Sequence, residues 1–204
     1  YSLQQQFWID GYYQGDISSS DSFYSFQDTI ARLNNTPSFF EVQPKQNKTH
    51  TLRQDVIAQH PEFIRILFDS GLISILRDIV GPNIFFTNVK HYLTVGKVPG
   101  LNWHRDTYRR RNKIIGNVPQ VIKLAIYSSP VHEESACMQI IPSSHRFSFD
   151  SRYFDHLLPM IIRPSNITGP PGTFTIFDSS LLHRRKPSNI SSTYRSATIY
   201  AFAQ

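Results

Sequence analysis

The sequence predicts a mainly β domain with flanking helices, a sandwich or barrel of short strands. Three observations carry that reading. The 204 residues are 40% hydrophobic and include 15 Phe, 10 Tyr and 2 Trp, enough for one sizeable core and biased toward pleated structure. From Ile84 onward, short runs rich in β-branched and aromatic residues alternate with turn residues. Before that point the apolar residues recur at helical spacing. Strands that follow helices in this way build a sheet structure with helical buttresses. There is no internal repeat and no low-complexity tract, so one domain over residues 1–204 is expected, with the buttress at about 18–80 and the β core at about 84–204.

The elements follow in order. Phe23, Phe26, Ile30 and Leu33 lie at steps of three and four behind the polar cluster Ser18–Asp21, which marks an amphipathic helix with a capped start. A polar, Pro-containing link follows at Thr36–His50. Between Pro61 and Val80, the residues Phe63, Ile64, Leu67, Leu72, Ile75, Leu76 and Ile79 repeat the helical spacing, with Gly71 as a break and Gly81-Pro82 as the stop. Strands are expected at Ile84–Val95, Val121–Tyr127, Cys137–Ile141, Leu158–Arg163, Gly172–Phe177 and Tyr194–Phe202.

Chemistry concentrates at His104-Arg105-Asp106, with His183 and Arg195 downstream. Two imidazoles and one carboxylate can occupy one face of a ferrous ion and leave three positions for small ligands. The H-x-[DE] triplet is weak by itself, because 8 His and 15 acidic residues yield about half a match by chance at ordinary composition. Three such triplets occur. His60-Pro61-Glu62 opens a helical stretch and reads as a helix start. His132-Glu133-Glu134 lies in a polar turn between two apolar runs. Only the triplet at 104–106 has a matching partner set. Strand parity puts Arg195 on one face with Ala197, Ile199 and Ala201. An arginine on a small apolar face needs either a bound carboxylate or an internal acid such as Asp178. In the same way Phe86, Asn88, Lys90, Tyr92 and Thr94 share a face polar enough to line a cavity or to meet water.

The formal net charge of +6 does not trace one amphipathic face, so no nucleic-acid partner is expected. The cations cluster as Arg109-Arg110-Arg111-Asn112-Lys113 and Arg184-Arg185-Lys186, each directly after a proposed ligand. A solvated loop and a basic rim that draws in an anionic substrate both fit these runs. No apolar run reaches the roughly 18 residues of a membrane span, and no secretory leader is visible, so a soluble, intracellular and cytoplasmic protein is expected. The chain starts at Tyr1 rather than Met, which leaves an upstream targeting segment open. Cys137 is the single cysteine and lies in an apolar run, so it reads as a buried thiol. The N-x-[ST] sequons at Asn34, Asn47, Asn166 and Asn189 are expected by chance in a chain rich in Asn, Ser and Thr.

Nearly the whole chain resembles the phytanoyl-CoA dioxygenase (PhyH-like) family of iron and 2-oxoglutarate oxygenases. Four blocks carry the likeness: Phe7-Trp8-Ile9-Asp10-Gly11-Tyr12-Tyr13; Pro99-Gly100-Leu101-Asn102-Trp103-His104-Arg105-Asp106; Ile140-Ile141-Pro142-Ser143-Ser144-His145-Arg146; and Gly172-Thr173-Phe174 through His183 to Arg195-Ser196. The resemblance implies a double-stranded β-helix, a jelly-roll barrel with helices packed on one sheet. It also implies Fe(II) on His104, Asp106 and His183, with Arg195 holding the distal carboxylate of the cosubstrate 2-oxoglutarate. Ser196, Lys123 and Tyr92 complete the expected cosubstrate site, while Pro142 and His145 belong to a structural turn. The chain departs from the family pattern at three positions. Arg185 stands where a small polar residue is frequent, Lys123 where a tryptophan often lies, and Ser143 where glycine is usual.

Such a site would couple oxidative decarboxylation of 2-oxoglutarate by O2, giving succinate and carbon dioxide, to oxidation of a second substrate. Asp106 is expected to direct the outcome to hydroxylation or a related oxidation, since related halogenases carry a small residue at that position. The basic runs, with Arg109, Arg110, Arg111 and Arg185 as substrate-binding candidates, imply a small-molecule substrate bearing a carboxylate, phosphate or thioester-linked anion. Two other classes stay in view: a zinc-type hydrolase or lyase using the same ligands, and a non-catalytic jelly-roll binding protein. The oligomeric state is left open.

Overall fold

A computed structural model describes residues 2–35, 41–42, 50–54, 56–107, 121–147 and 153–204. In chain order the elements are α1 (Leu3–Asp10), β1 (Tyr12–Asp16), α2 (Asp21–Asn35), β2 (Glu41–Val42), β3 (His50–Gln54), α3 (Val56–Gln59), α4 (Glu62–Asp69) and α5 (Leu72–Val80). Then follow β4 (Phe85–Val95), β5 (Val121–Tyr127), β6 (Met138–Ile140), a short 3-10 turn (Ser144–Arg146), α6 (Tyr153–Ile161), β7 (Ser165–Ile167), β8 (Thr173–Asp178), β9 (His183–Arg185) and β10 (Tyr194–Ala203).

Two antiparallel sheets form the core. The larger runs β1-β8-β5-β10-β4-β3-β2 and the smaller β7-β6-β9. Alternation along β5 shows how one strand serves two cores. Ile122, Leu124 and Ile126 point to the helices and join Phe23, Phe26, Ile30, Phe63, Ile66, Leu72 and Leu76. Ala125 and Tyr127 point the other way, toward Met138, Ile140, Ile167 and Leu181 of the smaller sheet's layer. The expected helices form because each buries one stripe: α2 places Phe23, Phe26, Ile30 and Leu33 inward, each contributing about 1.5–3 kcal/mol. Gly71, at φ +77, separates α4 from α5, as its conformational freedom suggested. Among the described residues, no helix is long and apolar enough to cross a membrane.

One expected strand is a correction. Leu158–Arg163 is not a strand, because Leu158–Ile161 form the end of α6 and the following strand is β7 at Ser165–Ile167. A short apolar run has no periodicity of its own, and here tertiary contacts decide. Leu158 packs with Ile141 and Leu182, and Asp155 one turn earlier is tied to Arg105. The N-terminal block, which carried no clear helical stripe, forms α1 and buries only Phe7 from it. Ser2 and Gln5 make a reciprocal capping box at its start, and Gly11 at φ +82 ends it. The other two H-x-E triplets read as they did in the sequence: Pro61 precedes α4, and His132 N–H caps onto Ser135 Oγ in a turn. The Thr36–His50 link lies largely outside the described residues.

Arg105 and Asp155 are both buried, with Nε to Oδ1 and Nη2 to Oδ1 each 2.9 Å. Asp155→Ala therefore leaves a buried guanidinium short of its counter-charge, and urea denaturation is expected to show a loss of about 3 kcal/mol. Cys137 is buried between the sheets, and desolvation pushes its thiol pKa up. A disulfide-exchange reagent at pH 8 is expected to leave the folded protein unlabelled and to titrate the thiol only after denaturation.

Candidate metal and cosubstrate site

Residues 98–107 run antiparallel to residues 179–188 and extend the smaller sheet beside β9. Val98 and Ser188 exchange backbone hydrogen bonds at 3.0 Å, Leu101 N donates to Arg185 O at 2.9 Å, and Asp106 N donates to Ser179 O at 2.9 Å. His104 and His183 also exchange both bonds, at 3.0 Å each. Residues paired in this way project their side chains from one face, so the two imidazoles meet with ring centroids 4.4 Å apart. Asp106, two residues beyond His104, returns to the same side.

Each histidine is oriented from behind. Nδ1 of His104 donates to Asn102 O and Nδ1 of His183 to Leu181 O, both at 2.8 Å. The carbonyls hold a proton on Nδ1, so Nε2 of each ring is the atom a metal would take, displacing any proton there. His183 Nε2 lies 3.3 Å from Asp106 Oδ2, and His104 Nε2 lies 3.9 Å from Asp106 Oδ1. The ligand atoms of the triad all lie within 4.8 Å of one another. Burial and the neighbouring His183 lower the pKa of His104, which keeps it in the neutral, ligating form at pH 7. Burial alone would raise Asp106, but its hydrogen bond and charge interaction with His183, together with the Lys123 ammonium, hold it well below the usual carboxylate range. The donor set therefore fits a divalent transition metal.

The triad opens onto a cleft of about 150 Å³ lined also by Tyr92, Lys123, Phe177, Arg185, Arg195 and Ile199. Register explains this gathering. Ala197 of β10 pairs with Tyr92, Ala201 with Lys123, and Lys123 with Phe177 of β8, so all of these share the inner face with Arg195. Lys123 Nζ sits 2.7 Å from Asp106 Oδ2. Tyr92 has its pKa raised by burial and by the Asp106 charge, so its phenol stays protonated at neutral pH. Arg195 is 6% exposed and lies over the Tyr127 ring with 5.1 Å from guanidinium carbon to centroid. Among the described residues no hydrogen-bond partner reaches its Nε. Asp178, the internal acid offered by the sequence, accepts instead from Ser180 N at 2.8 Å and Ser180 Oγ at 2.6 Å. Burial and the Arg195 charge lower Arg185 to about 10, so its guanidinium remains charged at neutral pH.

Other expected residues fall elsewhere. Ser196 is on the helix-facing side, where its N–H donates to Ser129 Oγ at 2.9 Å and its hydroxyl accepts from Ser128 Oγ at 2.7 Å. Neighbours on a strand cannot both face the cleft, which removes Ser196 from the cosubstrate contacts. Arg109, Arg110 and Arg111 lie outside the described residues. The turn at Pro142 is architectural: His145 Nε2 donates to Trp8 O at 3.1 Å and Ser143 N to Asp10 O at 2.8 Å, joining two of the sequence blocks. Ser143 adopts φ +61, which accounts for the glycine usual at this position. Sequence reasoning missed Arg105, whose place between two same-face ligands points it outward, where it also donates to Ser144 O and Ser180 O. It missed Phe177 as well, although alternation along β8 could have found it.

Residues 16–197 match the family model "Phytanoyl-CoA dioxygenase (PhyH)". Among solved structures, EctD from S. alaskensis with bound Fe is 20% identical with a TM-score of 0.79, covering 98% of this chain and 75% of that one. AviO1 from Streptomyces viridochromogenes Tue57 is 18% identical, TM-score 0.78, covering 100% and 94%. The epimerase SnoN in complex with Fe3+, alpha ketoglutarate and nogalamycin RO is 12% identical, TM-score 0.78, covering 99% and 82%. No protein with a curated description matches the chain. The two-sheet architecture is thus the double-stranded β-helix of these oxygenases, and the chain belongs to the phytanoyl-CoA dioxygenase (PhyH) family of 2-oxoglutarate-dependent non-haem iron oxygenases.

Proposed function

We propose that this protein hydroxylates a small or acyl-type anionic substrate, using Fe(II), 2-oxoglutarate and O2 and releasing succinate and carbon dioxide. One observation carries the cosubstrate part: a buried, charged Arg195 without a carboxylate partner among the described residues opens into the same cleft as the two-histidine, one-aspartate set. Burial of that guanidinium is costly until a carboxylate arrives, and its planar fork suits the distal carboxylate of 2-oxoglutarate. His104, Asp106 and His183 would hold the metal, which when bound supplies oxygen activation coupled to decarboxylation of the cosubstrate. Tyr92 offers a neutral phenol to the cosubstrate, and Phe177 and Ile199 give its carbon chain an apolar wall.

The substrate reading rests on charge. Among the described residues, four basic ones line the cleft, Lys123, Arg184, Arg185 and Arg195, against the single acid Asp106. Arg184 is already stacked 4.6 Å from the Trp103 ring centroid and donates through Nε to Gln139 Oε1 at 2.8 Å. Arg185, which also donates through Nη2 to Pro99 O at 3.1 Å, is proposed to meet the substrate anion together with Arg109, Arg110 and Arg111. A hydroxylation outcome fits the carboxylate retained at Asp106.

Anaerobic titration of the metal-free protein with Fe(II) and then 2-oxoglutarate is expected to produce a saturable visible charge-transfer band. Asp106→Ala should abolish it, and Arg195→Ala should raise the half-saturating 2-oxoglutarate concentration about thirtyfold or more, as for other lost buried charge pairs. A folded protein with no band would sink the oxygenase reading and favour zinc chemistry. For the substrate, glutamine at positions 109, 110 and 111 together is expected to raise its KM while substrate-free 2-oxoglutarate turnover stays intact; an unchanged KM would return these arginines to a solvated loop.

A further inference from the structure

Lys123 has a more specific task than lining the cleft. Its ammonium lies 2.7 Å from Asp106 Oδ2, and the same oxygen lies 3.3 Å from His183 Nε2. This is a built contact. Lys123 projects from β5 in the middle of the larger sheet, flanked by Phe177 on β8 and Ala201 on β10, and its side chain is 24% exposed. Among the described residues, no second carboxylate lines the cleft. Asp106 must therefore serve two cations, the ammonium and any ion held by the histidines.

We propose that Lys123 is a positioning residue that sets the charge of the metal centre, so that a divalent ion binds this chain weakly alone and firmly with a dianionic cosubstrate; the second half rests on the reading above. With Arg195 counted, a divalent ion, one carboxylate, the ammonium and the guanidinium leave three positive charges, of which 2-oxoglutarate cancels two. Without the ammonium, the complete centre is neutral. Lys123 also orients the carboxylate, which would favour metal binding, so the two effects oppose. Fixing one torsion among three staggered wells is worth about threefold at most. A unit charge within about 5 Å of a divalent ion opposes it about tenfold even at the dielectric of water. The charge effect wins.

Cobalt(II) absorption provides a readout independent of turnover. Wild type, Lys123→Met and Lys123→Arg are titrated with Co(II), without and with 2-oxoglutarate, with circular dichroism to check folding and Lys123→Gln as the substitute if the Met variant is insoluble. Lys123→Met is expected to bind Co(II) alone about tenfold more tightly than wild type, while Lys123→Arg stays close to wild type. By linkage, the factor by which 2-oxoglutarate tightens Co(II) should shrink in Lys123→Met. Equal or weaker Co(II) binding by a folded Lys123→Met, in the absence of cosubstrate, overturns the proposal. Wild type that binds Co(II) but ignores 2-oxoglutarate overturns the oxygenase reading instead, and the cosubstrate-free comparison still decides the role of Lys123.

Discussion

The pair of backbone hydrogen bonds between His104 and His183 is the constraint on which the site depends. These residues are far apart in the chain, and only a ladder between residues 98–107 and 179–188 brings their side chains to one face. A slip of one residue would turn His183 away from the face that carries His104 and Asp106. The register is locked from both sides of this ladder. At the histidines themselves, the carbonyls of Asn102 and Leu181 hold the imidazoles through Nδ1. Behind, Arg105 is drawn into a buried network with Asp155 and the carbonyls of Ser144 and Ser180. The residue between the two candidate metal ligands thus contributes to the site by fixing the strand that carries them.

A second constraint is electrostatic. The cleft concentrates positive charge: Lys123 and Arg195 from the larger sheet and Arg185 from β9 of the smaller one meet, among the described residues, one acidic side chain, Asp106. A fold that gathers guanidiniums in a half-enclosed cleft gives up stability in the free protein and regains it when anions bind. The rigid backing matters here. Helices α1, α2, α4 and α5 bury the opposite face of the larger sheet, so Lys123 and Arg195 are presented from a packed platform.

Two of the sequence blocks that signal the family are architecture rather than chemistry. Gly11 takes a left-handed conformation, and a Cβ there would lie 2.3 Å from His145 Nδ1. The turn after β6 packs directly onto the end of α1 through His145, Trp8, Ser143 and Asp10. This contact anchors the N-terminal helix and β1 against β8, the strand that supplies Phe177 to the cleft.

Much of the fold was legible because its signals are local. The stripes of α2, α4 and α5 and the alternation of β4, β5, β8 and β10 are properties of consecutive residues, and the parity of β10 placed Arg195 on the small apolar face. The ligand types and their order were equally plain, since three donor residues and an arginine can be read without knowing where the chain folds. Tertiary structure decided whatever depends on a partner distant in sequence. It turned Leu158–Ile161 into helix through contacts with Ile141, Leu182 and Arg105, joined Lys123 to Asp106, and left Arg195 rather than Asp178 open to the cleft. Strand alternation sent Ser196 to the helix side. Sequence determined which chemistry this protein carries, because side-chain type is local; the geometry of that chemistry came only from pairings across the sheets, because hydrogen-bond register and charge contacts are not.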